Sequence, residues 1–238
     1  MIRVRLNNER GNIDHGWLNT YHSFSFGEYY DPNHHEFSVL RVLNEDFLEA
    51  GEGGFPMHPH RNMEIITYIA QGALRHQDSL GNIQIIRQGE VQYMCAGKGI
   101  VHSEHNASSD YKTQLFQIWI RPNQNNLTPH YVTNFVTGEK KQNQWCLIAS
   151  GTGENDSIQI HQDIKLWNSV LNVNEQLNYV FPAERWGYIH LVRGRLTVNE
   201  VELRTGDGAY IQDEKQLTFL SLQESEVLFF DLPPEQIK

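Results

Sequence analysis

One strand-and-turn design occurs twice along the chain, and that repetition limits the fold more than any other feature. Ile65-Ile-Thr-Tyr-Ile-Ala-Gln-Gly72 and Tyr188-Ile-His-Leu-Val-Arg-Gly194 are both β-branched or aromatic runs that end on a glycine. A hairpin follows each, then a second glycine beside an acid, Gly89-Glu90 in one and Gly206-Asp207 in the other. The glycine spacing is 17 in the first case and 12 in the second, so the later hairpin is shorter. Each half then closes on an apolar strand, Leu115 to Ile120 and Val227 to Phe230. Self-similarity of one supersecondary unit is the mark of a duplicated architecture.

The rest of the chain agrees. Phe37–Leu43, Glu64–Ile69 and Asn82–Ile86 read as strands, with turn signals at Ser79–Asn82, Gln88-Gly89 and Gly97-Lys-Gly99. Helical periodicity is scarce, and only residues 168–178 suggest a short helix. Many short strands at this spacing predict an all-β sandwich or barrel. The polar stretch Thr137–Gln144 separates the repeats, which predicts an N-terminal domain over 1–136 and a C-terminal domain over 137–238.

Composition excludes several classes. The formal net charge of −10 over 238 residues repels a phosphate backbone, and no basic stripe offsets it. No direct nucleic-acid partner is therefore expected. No run approaches the 18 apolar residues of a membrane span, and the opening Met-Ile-Arg-Val-Arg-Leu lacks the apolar core of a signal peptide. A cytoplasmic protein is expected, with Cys95 and Cys146 as free thiols.

The chemistry concentrates in two short pairs. In His58-Pro-His60 and again in His102-Ser-Glu104, residues i and i+2 project from one face of a strand. In a small barrel, two such strands can bring all four side chains onto one cation. Three imidazoles and a carboxylate, without thiolate, suit iron, manganese, nickel, copper or zinc and disfavour calcium and magnesium. Four protein ligands leave two positions open on an octahedral ion, which points to a catalytic centre. Glu64, on the strand after the first pair, reads either as a support for a ligand histidine or as an exposed carboxylate. Phe24, Phe26, Tyr29 and Tyr30 either wall an apolar pocket or pack the barrel mouth.

These motifs resemble the two signatures of the cupin superfamily. The first is His58-x-His60 with Glu64 and Gly72; the second is Gly89, Gly97-x-Gly99, His102 and Asn106. Many cupins use the residue at the position of Glu64 as a ligand, whereas this chain also offers Glu104. That departure, with His58-Pro-His-Arg-Asn-Met-Glu-Ile-Ile-Thr-Tyr68, Gly97-Lys-Gly-Ile-Val-His-Ser-Glu104, Tyr21–Phe26 and Gln114–Ile120, is similar to the pirin family. The similarity covers most of the chain and is densest over residues 10–122.

The resemblance implies a bicupin, two tandem jelly-roll barrels, with the metal held by His58, His60, His102 and Glu104 in the first. It implies Fe(II), while Zn, Mn, Ni, Co or Cu also fit the donors. The second barrel, where His161 and His190 stand apart, is expected to be degenerate and metal-free. The implied activity is that of a quercetin 2,3-dioxygenase, an oxidoreductase that opens a flavonol heterocycle with O2 and releases carbon monoxide. Glu104 is then the candidate base for the substrate 3-hydroxyl. The alternative implied by the family is a metal-dependent regulatory module that binds a protein partner. A monomer is expected in either case.

Overall fold

The computed structural model describes residues 1–51 and 53–234. Its described residues form 22 strands and one four-residue α-helix, Gly138–Lys141, inside the polar stretch that separates the repeats. The chain divides into two compact units. One comprises Gly11–Phe135 with Ile160–Gln162; the other comprises Met1–Arg10, Val136–Gln159 and the chain from Asp163 onward.

In the first unit, a seven-stranded sheet has the order β12 (His130–Phe135), β9 (Glu90–Cys95), β6 (Glu64–Gln71), β11 (Thr113–Ile120), β4 (Leu40–Leu48), β3 (Leu18–His22) and β2 (Gly11–Asp14). A four-stranded sheet has the order β5 (Gly54–His60), β10 (Ile100–Asn106), β7 (Ala73–Asp78) and β8 (Ile83–Arg87). Leu18, Leu48, Ile69, Leu74, Ile86 and Leu115 form one buried cluster from the two sheets. Ile65, Met94, Ala96 and Ile100 form another.

The second unit has the same design. Its large sheet is ordered β1 (Ile2–Arg5), β20 (Gly208–Ile211), β17 (Trp186–Arg193), β22 (Ser225–Leu232), β15 (Lys165–Leu171), β13 (Cys146–Ser150) and β14 (Ile158–Gln159). The small sheet is ordered β16 (Gln176–Val180), β21 (Gln216–Ser221), β18 (Arg195–Val198) and β19 (Val201–Arg204). The chain thus forms the expected two tandem jelly rolls. The four glycines of the repeat, Gly72, Gly89, Gly194 and Gly206, all have φ between 81° and 94°, a region that a side chain disfavours.

Two expectations need correction. The units are not the contiguous halves 1–136 and 137–238. Strand β1 pairs with β20, placing Ile2 opposite Ile211 and Val4 opposite Ala209, and so covers an edge that would otherwise be open. It occupies the place in its sheet that β12 holds in the other. The helix suggested within residues 168–178 is absent, because Val170 and Leu171 continue β15 beside Glu226 and Ser225 of β22. Sheet pairing overrides a weak local preference there.

Gly97, in the turn that leads into β10, has φ of +44°, and a Cβ at that position would lie 2.0 Å from the Leu127 carbonyl oxygen. Gly97→Ala is expected to destabilise the protein by about 1–3 kcal/mol, read as a lower urea midpoint with an unchanged m-value.

Candidate metal centre

The site is built on the small sheet of the first unit, with β10 in the middle. His102 lies opposite His58 across the β10–β5 ladder, and Ile100 lies opposite His60. A bulge between His102 and Glu104 shifts the register, so Glu104 pairs with Phe55. Ligand atoms of His58, His60 and His102 all lie within 4.8 Å of one another. Glu104 belongs to an overlapping group of the same tightness with His102 and His76. The four residues singled out in the sequence therefore form two adjoining triads that share His102, and His76 is a member that the sequence reading missed.

The donors are prepared for a cation. His58 Nδ1 is 2.7 Å from the Pro56 carbonyl oxygen. Because a carbonyl only accepts, that nitrogen carries the proton and Nε2 keeps its lone pair. His102 is 1% exposed, and its buried Nε2 has no hydrogen-bond partner. Such an orphan is costly unless something else occupies the lone pair. Burial first, then the neighbouring imidazoles, pushes His60 down to about 3. Burial likewise pushes His102 down to about 4, against the pull of Glu104. Both rings are neutral at pH 7, the state in which imidazole binds metal. The residues fit a divalent ion with nitrogen preference.

Glu104 is held from the facing sheet. Gln92 Nε2 on β9 donates to its Oε1, and Gln117 Nε2 on β11 donates to its Oε2. Each amide oxygen is occupied in turn, Gln92 Oε1 by the Tyr131 hydroxyl at 3.0 Å and Gln117 Oε1 by Trp119 Nε1 at 3.1 Å. Burial favours the neutral acid, but the facing His76, the charges of His102 and His76, and the Gln92 amide outweigh it and hold Glu104 at about 2. The carboxylate is ionised throughout the physiological range.

Glu64 does not serve the ligands, nor is it exposed. It is 0% exposed and accepts from the Tyr93 hydroxyl at 2.6 Å and from the His161 backbone N–H. Parity on the strand explains this. Thr67 Oγ1, three residues along β6, accepts from the Gln92 amide that also holds Glu104, so Glu64 faces the opposite side of the sheet. His161 lies 3.3 Å from Glu64; His190 is fully buried in the second unit and pushed well below its ordinary range by that burial.

Beside the triads a cavity of about 440 Å3 opens within the first unit. Phe26, Phe55 and Trp119 line it with His58, His60, Glu104 and Gln117; Asn44 and Asp46 supply polar groups elsewhere on its wall. The Trp119 ring stands edge-on to His60 at 4.9 Å and to Phe26 at 5.2 Å. Of the four aromatics flagged in the sequence, Phe26 lines the cavity, Phe24 is fully buried and Tyr30 is 73% exposed.

The titrations predict an acid-labile metal-free protein. His60 and His102 refuse protons that the unfolded chain takes up near pH 6.5, so stability falls as pH drops from about 6.5 to about 4 for His102 and to about 3 for His60. Depressed Glu104 adds a loss of the same sign from about 4.5 to about 2, while His76, raised by Glu104 and Asp78 against its burial, opposes them. Urea midpoints of the chelator-treated protein across this window should decline with acidification.

Comparison with known proteins adds to this geometry. Residues 3–120 match the family model described as Pirin, and residues 147–232 match that of the quercetinase C-terminal cupin domain. The chain is 46% identical over 235 residues to a quercetin 2,3-dioxygenase of Escherichia coli K12, covering 98% of this chain and 100% of that one. It is similar to the crystal structure of the bacterial pirin YhhW of Escherichia coli in complex with nickel(II), at 45% identity and a TM-score of 0.94, covering 98% and 100% of the two chains. A second YhhW crystal structure matches at 44% identity and a TM-score of 0.95, over 100% of both chains.

Proposed function

The chain belongs to the pirin family, and from that premise we propose that it is a metal-dependent flavonol dioxygenase acting at His58, His60, His102 and Glu104. One observation carries the reading. His58, His60 and the ionised Glu104 line a cavity whose other walls include Phe26, Phe55 and Trp119, with His102 converging on the same two imidazoles, so a planar aromatic can lie with its oxygens toward the donors. The ion proposed is Fe(II), which the donor set suits. Bound there, it would supply Lewis-acid polarisation of the substrate oxygens and the redox chemistry that O2 needs.

The protein side chains have distinct tasks in this proposal. Trp119 and Phe26 hold the aromatic plane, and their apolar surfaces exclude water from the reacting ring. Glu104, fixed by Gln92 and Gln117, accepts the proton of the substrate 3-hydroxyl at a carboxylate oxygen. Both atoms of O2 enter the product across C2 and C4, and C3 leaves as carbon monoxide with its oxygen. The second barrel takes no part in holding the ion. On its corresponding strand pair, Leu177 lies opposite Phe219 and Tyr179 opposite Leu217, and these side chains pack with Phe229 and Trp145.

Chelator-treated protein reloaded anaerobically with Fe(II), then mixed with quercetin and O2, tests the proposal. One O2 consumed and one carbon monoxide released per flavonol are expected. Full metal occupancy without oxygen uptake or carbon monoxide would overturn it.

A further inference from the structure

A third strand-spaced pair, His76-Gln-Asp78 on β7, stands directly behind the ligand strand. Across the β10–β7 ladder Asp78 lies opposite His102 and His76 lies opposite Glu104. Both side chains are fully buried. His76 Nε2 is 3.1 Å from Asp78 Oδ2, and its Nδ1 is 3.5 Å from His102 Nδ1. The His76 ring is stacked on Tyr131 with 4.4 Å between centroids, so it has little freedom to turn.

We propose that Asp78 and His76 are positioning residues that lock His102 in the tautomer with a proton on Nδ1 and a lone pair on Nε2. The inference rests on the metal-dependent reading above. In the metal-loaded protein the nearby dication disfavours a second proton on His76. Because an ionised Asp78 only accepts, the one remaining proton stays on Nε2, 3.1 Å from Asp78, and Nδ1 offers a lone pair. That lone pair takes the proton of His102 Nδ1. The other ring nitrogen, the buried orphan Nε2, is thereby left as a free donor for the ion. An outer partner that fixes a ligand imidazole in this way raises its basicity and holds its ring plane. His76 is consequently committed at both nitrogens, which explains why it can sit against His102 and Glu104 without being a ligand itself.

Asp78 is poised so that one substitution reverses the whole chain. Its Oδ1 accepts the backbone N–H groups of Leu80 at 2.9 Å and Asn82 at 3.0 Å. Its Oδ2 accepts from Asn82 Nδ2 at 2.8 Å as well as from His76. In Asp78→Asn the amide oxygen must stay with the two backbone donors, so the amide NH2 faces His76. His76 then moves its proton to Nδ1, and His102 is driven to carry its proton on Nε2, where the ion should bind.

The test uses the full chain with zinc(II) as a diamagnetic probe and reads the ring nitrogens by 15N NMR. In the zinc-loaded protein, a protonated His102 Nδ1 with a metal-bound Nε2, beside a His76 protonated on Nε2 alone, is expected. Asp78→Asn should weaken zinc binding about 10–100-fold by calorimetry and remove the His102 Nδ1–H signal. Zinc bound to His102 Nδ1, a His76 protonated on Nδ1 in the unsubstituted protein, or unchanged affinity in the folded variant would overturn the proposal while leaving the metal centre standing. Absence of zinc binding by the unsubstituted protein would overturn both. Should Asp78→Asn not fold, the spectra of the unsubstituted protein decide the matter.

Discussion

Replacement of His102 by alanine is expected to lower metal affinity by at least about 100-fold, more than removal of an outer partner alone. His102 is the member common to both triads and the most deeply buried imidazole of the first one. It lies opposite His58 on the paired strand, with its ring centroid 4.4 Å from that of His58 and 4.8 Å from that of His60. The metal-free variant should nevertheless stay folded. The lost ring leaves a small cavity, which costs stability, but its unsatisfied Nε2 disappears with it, which restores some. Calorimetric titration with the ion and urea unfolding of the metal-free form separate the two quantities. A variant that keeps normal affinity would remove His102 from the ligand set.

Glu104→Gln should have the second large effect, a fall in kcat of about 10²–10⁴-fold toward a flavonol, and its cause is legible in the hydrogen bonds. Two amide groups donate to the carboxylate, one to each oxygen. A glutamine at this position presents an NH2 to one of them, so two donors face each other. Neither neighbour can simply flip, because Tyr131 occupies the oxygen of Gln92 and Trp119 that of Gln117. One buried donor is left without an acceptor, which costs about 1–3 kcal/mol. The variant should therefore lose activity and stability together. Glu104→Asp, which retains the charge, should recover more of the stability than of the activity. Full turnover by Glu104→Gln would exclude the proton-accepting role.

The two His-rich pairs are visible in the sequence because strand geometry makes i and i+2 neighbours in space, whatever lies between them. The glycines of the repeat were equally visible, since a positive φ leaves few alternatives. The same rule should have exposed His76-Gln-Asp78, which has the spacing of His102-Ser-Glu104; it was missed because no motif marked it. Thr67, Gln92 and Gln117 were a second unused signal. They are polar residues buried in the middle of otherwise apolar strands, where a hydroxyl or amide survives only if something polar faces it. Glu64 failed for a reason of parity, since a residue three positions from Thr67 on a strand must face away from it. The assignment of β1 to the second unit depends on a pairing with β20 across most of the chain, and no local pattern encodes that.

Anomalous X-ray diffraction from crystals of the Fe(II)-loaded protein, collected at the iron edge, tests the central claim most directly. One peak per chain is expected, about 2.0–2.2 Å from a nitrogen of His58, His60 and His102 and from a Glu104 oxygen. A peak in the second barrel, or one in the first barrel that misses His58 and His60, would contradict it.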